Sequence, residues 1–286
     1  MSLPRLALAV IGDEIGPSLA EMLSFCAEND VRRLDMRTVE GKNLLGMTLQ
    51  EVDAISKILR KADIKVPTFV SPVLKWPANG KASADAEVDF AFDPSLCPIA
   101  DSVAHAFDVA TVLGAPRLRV FSHLRYPGYQ PADLEAAIDR LMDLASRHDV
   151  AVEMENEPVC NVGSVAELAQ FFAHYPEMGG HLRPLVDIGN SWGMGLPPGD
   201  DDIAALAPLV DLIHLKDRDF DAKRTVPLGD GGVPWAKELK RLLGGVRERE
   251  VVASMETHCP QDGRHATAKS VAALRRIADE IGVEIV

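Results

Sequence analysis

The stretch Asp211-Leu212-Ile213-His214-Leu215-Lys216-Asp217 decides the fold. Its apolar residues span too few positions for a helix and lack helical spacing, so it reads as a short buried strand. A histidine sits in its middle, and Lys216 points the same way because side chains alternate along a strand. A hydrocarbon core has little use for either. Three other apolar runs carry an ionisable group near their C-terminal ends: Glu155 after Val150–Met154, Asp187 after Pro184–Val186, and Glu256 after Val251–Met255.

Working outward, strand-like runs alternate with amphipathic helical ones. Strands are expected at Leu6–Ile11, Val31–Met36, Ile64–Val70, Arg117–Phe121, Val150–Glu155, Pro184–Ile188, Asp211–Leu215 and Val251–Glu256. Helices are expected at Ser18–Glu28, Thr48–Ala62, Asp101–Leu113, Pro131–His148, Ser164–His174, Asp201–Leu206, Pro234–Leu243 and His265–Ile281, with Val52, Ile55, Ile58 and Leu59 inward on the second. Eight such pairs predict a parallel sheet closed into a single (β/α)8 TIM barrel, one domain over 1–286 with a long loop at about 71–100. No Gly-x-Gly-x-x-Gly follows the first strand, which removes the dinucleotide-binding alternative.

Of the 286 residues 47% are hydrophobic and 26% charged, so a packed core is expected. The net charge of −13 argues against nucleic acid and anionic lipid as partners. No run of 18 apolar residues exists and Leu6–Ile11 is too short for a signal-sequence core; the expectation is a cytoplasmic protein that does not engage a membrane. Cys26, Cys97, Cys160 and Cys259 are scattered, without a Cys-x-x-Cys pair, and read as isolated thiols.

In a barrel of this kind Glu155, Asp187, His214 and Glu256 stand at the C-terminal ends of consecutive strands, where catalytic groups are found. Three carboxylates and one imidazole make an oxygen-rich donor set suited to one divalent ion, Mn²⁺, Mg²⁺ or Co²⁺ first and Zn²⁺ as a further option. Each residue also has a structural reading: Glu155 shares its neighbourhood with Glu153, Asn156 and Glu157, Asp187 could cap the next turn, and Glu256 could pair with an arginine. Coincidence at four equivalent positions is what favours the metal.

Glu155-Asn156, the Asp187–Asn190 segment, His214-Leu215-Lys216-Asp217, the Leu228–Trp235 segment and the Ser254–Thr257 segment together resemble the xylose isomerase-like TIM-barrel family of sugar isomerases, ketose 3-epimerases and related dehydratases. The resemblance implies that Glu155, Asp187, His214 and Glu256 hold one divalent metal and that Glu155 and Glu256 face each other across the substrate. Members often carry a histidine three residues after the aspartate; Asn190 stands there in this chain.

The implied function is a metal-dependent isomerase or epimerase of a sugar or polyol-derived ketone, within carbohydrate metabolism. A metal chelating adjacent oxygens acidifies the intervening C–H bond and stabilises the enediolate, while Glu155 and Glu256 remove and return the proton. Expulsion of a β-hydroxyl instead gives a dehydratase of a cyclic hydroxyketone, of inosose or dehydroshikimate type. Lys216 is expected either to bind a substrate oxygen or to form a rim salt bridge with Asp217 or Glu256. Asn190, His123 and Arg37 are further candidate substrate contacts, and Lys75, Trp76, Trp192 and His258 are candidate pocket lining. Gly229-Asp230-Gly231-Gly232 could cradle a phosphate or simply make a tight turn. An AP endonuclease-like role needs strand-end histidines that Met36, Arg37 and Ser71 do not provide, and a non-catalytic sugar-binding role sits poorly with both glutamates present. A homo-oligomer is compatible with the class, but no sequence stripe marks an interface.

Overall fold

Each of the eight apolar runs takes its place in one parallel sheet. The computed structural model describes residues 3–83, 92–93, 99–176 and 180–286. Its barrel strands are β1 (Arg5–Ile11), β2 (Leu34–Asp35), β3 (Thr68–Phe69), β4 (Arg117–Val120), β5 (Ala151–Glu155), β6 (Leu182–Asp187), β7 (Leu212–Leu215) and β8 (Glu250–Met255). They lie side by side in the order β2-β1-β8-β7-β6-β5-β4-β3, and the bridges Arg33↔Lys65 and Met36↔Phe69 join the two ends. The result is the (β/α)8 TIM barrel expected from the alternation.

Helices α1 (Leu19–Asn29), α2 (Leu49–Lys61), α3 (Ser102–Leu113), α4 (Glu135–His148), α5 (Val165–His174), α6 (Ile188–Gly193), α7 (Asp200–Leu206), α8 (Trp235–Leu243) and α9 (Gly263–Ile281) connect the strands. Local chemistry sets their ends. Ser18 with Glu21, Thr48 with Glu51 and Ser164 with Glu167 form reciprocal capping boxes at α1, α2 and α5, each cap contributing about 1 kcal/mol. Gly114 and Gly282 end α3 and α9 with φ of 74° and 72°, a left-handed conformation that glycine adopts without a Cβ penalty.

Three expectations need correction. The second and third strands shrink to two residues each because Pro67 has no N–H to donate: pairing steps three residues from Arg33 to Met36 but four from Lys65 to Phe69, a bulge around the proline. Ile58 is 47% exposed, unlike its buried neighbours Val52, Ile55 and Leu59. Residues 188–193 form a short helix, where a strand end and a loop were expected. The acidic run at 85–89 and Cys97 lie outside the described residues. Cys26, Cys160 and Cys259 are free thiols, and among the described residues no helix is long and apolar enough to cross a membrane.

The main core lies between sheet and helices, with a small cluster of Ala7, Ala9, Leu185, Leu212 and Val252 apart from it. The sheet residues also carry buried charge. Asp211, the first residue of the fold-deciding stretch, pairs with Arg117 at 2.9 Å and Arg183 at 3.2 Å, with Glu153 3.7 Å from Arg117. Burial, reinforced by Asp211, pushes the Glu153 carboxyl well above its ordinary value, and burial likewise raises Asp35.

Candidate metal centre

The register of the sheet sets Glu155, Asp187, His214 and Glu256 on a common level. Glu155 and Asp187 are the last residues of β5 and β6, His214 pairs with Asp187 across β6–β7, and Glu256 follows the last residue of β8. Asn156 holds the first pair in place. Its side-chain amide donates to the Asp187 carbonyl and accepts from the Asp187 N–H, both at 2.9 Å, prolonging the β5–β6 ladder with a side chain. Asp187 does cap the following turn, since Oδ1 accepts the Asn190 N–H at 2.8 Å, while Oδ2 turns to Lys216.

One ligand atom from each of the four residues lies within 4.8 Å of all the others, and all four residues are buried. This group could hold a metal ion. His214 Nδ1 is 3.0 Å from Glu155 Oε1 and 3.3 Å from Glu256 Oε2. Lys216 Nζ is 2.9 Å from Asp187 Oδ2 and 2.7 Å from Glu256 Oε2. The other oxygens of the glutamates meet an arginine that sequence reading passed over: Arg119 Nη1 is 3.0 Å from Glu155 Oε2 and 3.5 Å from Glu256 Oε1. Arg119 is itself fixed by the Ser71 carbonyl and by the face of Phe121, 4.5 Å from guanidinium carbon to ring centroid.

Electrostatics follow from this crowding. Burial alone would lower the His214 pKa, but the Glu155 and Glu256 carboxylates reverse it and hold the imidazole up to about 10. Burial would raise Glu155 and Glu256; the positive neighbours win, His214 and Arg119 at the first and Lys216, His258 and His214 at the second, and both carboxylates end below their ordinary values. Asp187 bears the cost of the crowding, because burial and the two glutamates lift it to about 6 despite Lys216. That rise and the strongly raised Lys216 pull in opposite senses on one ion pair. The geometry favours Glu256 as the tighter partner, because the Asp187 contact is close without hydrogen-bond alignment. A protonated His214 and the Lys216 ammonium, with Arg119 and Arg37 behind the glutamates, thus balance the three carboxylates.

Of the expected contacts, Lys216 reaches the cluster, pairing with Glu256 as one of its two readings allowed. Arg37 is buried and joins Glu256 at 3.5 Å, but Asp13 and Glu14 also hold it, each at 2.9 Å. Asn190 lies behind Asp187, its amide donating to the Asn156 carbonyl at 2.8 Å. His123 is hydrogen-bonded to the Trp76 carbonyl at 3.1 Å, and burial lowers its pKa. Lys75 sits 3.5 Å from Glu157, and Trp192 stacks on Phe220 with centroids 5.8 Å apart. His258 Nε2 is 3.3 Å from Glu256 Oε1, and its left-handed backbone, φ 49°, costs about 1–3 kcal/mol for a non-glycine residue. Glu14 holds it there, accepting its N–H at 2.8 Å, and a cavity of about 460 Å³ opens between Arg37, Glu14 and His258.

The glycine-rich loop has a structural explanation. Asp217 accepts the N–H groups of Gly229, Gly231 and Val233 at 2.9–3.2 Å, so these donors are already used. A Cβ on Gly231 would lie 2.2 Å from Asp217 Oδ1, which is why the position carries none. A cavity of about 480 Å³ lined by Arg33, Arg60, Lys65 and Arg117 touches the N-terminal ends of strands, the face where such barrels carry stability and not chemistry.

The model of the xylose isomerase-like TIM barrel family matches residues 28–277. The chain belongs to that family. No curated protein matches it by sequence. Among solved members of the fold, a xylose isomerase domain protein from Planctomyces limnophilus is 17% identical with a TM-score of 0.69, covering 99% of both chains. The IolI protein with a bound zinc atom is 14% identical with a TM-score of 0.72, over 96% of this chain and 99% of that one. An L-ribulose 3-epimerase is 12% identical with a TM-score of 0.69, over 97% and 96%. At these identities the likeness establishes the shared barrel alone.

Proposed function

We propose that the chain is a divalent-metal-dependent isomerase or epimerase of a sugar or polyol-derived ketone. The observation that carries this reading is the cluster itself: three carboxylates and one imidazole on four strand ends, buried and within 4.8 Å of one another. Glu155, Asp187, His214 and Glu256 would hold the ion, and their donor chemistry fits Mn²⁺, Mg²⁺ or Co²⁺, with Zn²⁺ as the softer option. When bound, the ion supplies Lewis acidity that weakens the C–H bond beside a chelated carbonyl.

The chain's own residues do the rest. Glu155 and Glu256 carry the proton, one removing it and the other returning it on the opposite face for epimerisation or at the neighbouring carbon for isomerisation. Arg119 and Arg37 hold the outer oxygens of these glutamates; the glutamate that removes the proton is ionised, and the one that returns a proton enters the step protonated. Lys216 offers its ammonium to the oxygen on which negative charge develops. One observation favours a dehydratase as the second reading: His258 stands 3.3 Å from Glu256 at the rim, where an imidazole can hand a proton to a departing hydroxyl.

Incubating the Mn²⁺-loaded protein in deuterated water with a panel of ketoses, inososes and dehydroshikimate tests the reading. Deuterium beside the carbonyl in a product of unchanged formula marks an isomerase or epimerase, and loss of water marks a dehydratase. Absence of both exchange and water loss across the panel would falsify both. Ion binding has its own signature. With His214 held up to about 10 the ion-free imidazole is protonated at pH 7, and a ligand must be neutral, so about one proton is released per ion. Calorimetric enthalpies should therefore vary with the ionisation enthalpy of the buffer, and affinity should rise with pH. It should fall more steeply below about pH 6, where Asp187 takes up a proton as well. Buffer-independent enthalpies would rule this out.

A further inference from the structure

We propose that Lys216 is the counter-ion the site keeps in place of a divalent cation, and that it is driven off Asp187 and Glu256 when the ion binds. The proposal rests on the metal-binding half of the reading above and is independent of the reaction catalysed.

Three buried cations border the cluster, and their anchoring separates them. Arg37 is tied from outside by Asp13 and Glu14 at 2.9 Å each. Arg119 is tied by the Ser71 carbonyl at 3.2 Å and by the Phe121 ring. Both of the ion pairs of Lys216 are with members of the cluster, at 2.7 Å to Glu256 and 2.9 Å to Asp187, and the second lacks hydrogen-bond alignment. An ammonium and a divalent ion compete for the same oxygens, Asp187 Oδ2 and Glu256 Oε2, because like charges a few ångströms apart repel even under the screening of a protein interior. Lysine is the cation suited to leave, a compact charge on a flexible stem, whereas the planar forks of Arg37 and Arg119 are locked by several partners.

The local backbone is shaped for this lysine. A Cβ on Gly189 would lie 2.6 Å from Lys216 Cγ and 3.2 Å from Asp187 Oδ1, so the bare glycine lets the stem lie along the first turn of α6 beside the carboxylate. A third carboxylate lies nearby: Glu157, two residues beyond Glu155, is partly exposed, sits 3.5 Å from Lys75 and is already among the charges that favour the Lys216 ammonium. No covalent bond changes in the exchange. Two ion pairs of the lysine are replaced by coordination of the ion, and the displaced ammonium is delivered to the rim, where a substrate oxygen would meet it.

The test uses the full chain and Mn²⁺ as the probe. Crystal structures of the wild type grown with EDTA and with Mn²⁺ should show Lys216 Nζ on Asp187 and Glu256 in the first and more than about 4 Å from both carboxylates in the second. Calorimetric titration should show Lys216→Met binding Mn²⁺ roughly tenfold or more tightly than the wild type, with Lys216→Arg no tighter than the wild type. A bound Mn²⁺ with Nζ still on either carboxylate, or an unchanged or weaker affinity in Lys216→Met, overturns the exchange while leaving the metal site standing. Failure of the wild type to bind Mn²⁺ at all overturns the metal site and the exchange with it. The wild-type structures decide the question even if Lys216→Met does not fold.

Discussion

Glu256→Gln is expected to reduce turnover about 10²- to 10⁴-fold, the usual worth of a positioned acid or base. Glutamine keeps the shape of the side chain but not its charge, so it can neither accept a proton nor balance the cations around it. Those cations are unusually many. Oε1 faces Arg37 and Arg119 at 3.5 Å each and His258 at 3.3 Å, and Oε2 faces Lys216 at 2.7 Å and His214 at 3.3 Å. A companion Glu155→Gln variant separates base from ligand. If the two glutamates serve opposite faces of the substrate, each variant should still wash solvent deuterium into one epimer while net epimerisation fails in both. Near-normal turnover in either variant would remove that glutamate from the proton path.

Arg119→Met should lower the melting temperature by roughly 10 °C. The change breaks a buried ion pair from one side, which typically costs about 3–5 kcal/mol because the abandoned charges remain buried. For a chain of this size each kcal/mol is worth about 2–4 °C. Arg119 is 1% exposed and touches both glutamates, so methionine would fill the volume beside Phe121 and leave Glu155 Oε2 facing hydrocarbon. Arg119→Lys should recover part of the loss, since it restores the charge without the fork that reaches both carboxylates and the Ser71 carbonyl. A melting point for Arg119→Met within about 2 °C of the wild type would mean that the pair adds nothing net, as surface pairs often do.

The barrel was legible because its strands are buried on both faces and its helices on one, so each kind of element writes a different period into the chain. Cap residues such as Thr48 marked helix starts to within a residue. What stayed hidden depends on contacts distant in sequence or on unusual turn chemistry. The hairpin of Thr38–Val39 with Lys42–Asn43 turns through Glu40 and Gly41, both with positive φ, and a glutamate is a poor advertisement for that conformation. The short α6 is nucleated by Asp187, whose capping role could be guessed but not chosen over its place in the cluster.

At the site, the four clustered residues were readable because each interrupts an apolar run at the same point. Arg119 carries the same signal, an ionisable group two residues from Arg117 inside a strand, but it sits mid-strand and not at a strand end. Asp13 and Glu14 gave no sign of their service to Arg37, because a turn of acidic residues after a strand is ordinary in any soluble protein. The glycine-rich loop could be read either as a phosphate cradle or as a tight turn because the partner of its N–H groups, Asp217, lies twelve or more residues earlier.

The placement of the four clustered groups on strands, with the substrate's surroundings left to loops, has a consequence for how such a protein diverges. Glu155, Asp187, His214 and Glu256 are held by ladder register and by Asn156, all of which survive changes in the connecting segments. His123 and His258 follow the ends of β4 and β8, and Trp192 lies in the short α6, all three outside the barrel ladder. Mutation can therefore redraw the clientele of the barrel without touching the machinery beneath, and two descendants of one ancestor can keep the same hearth while admitting different guests.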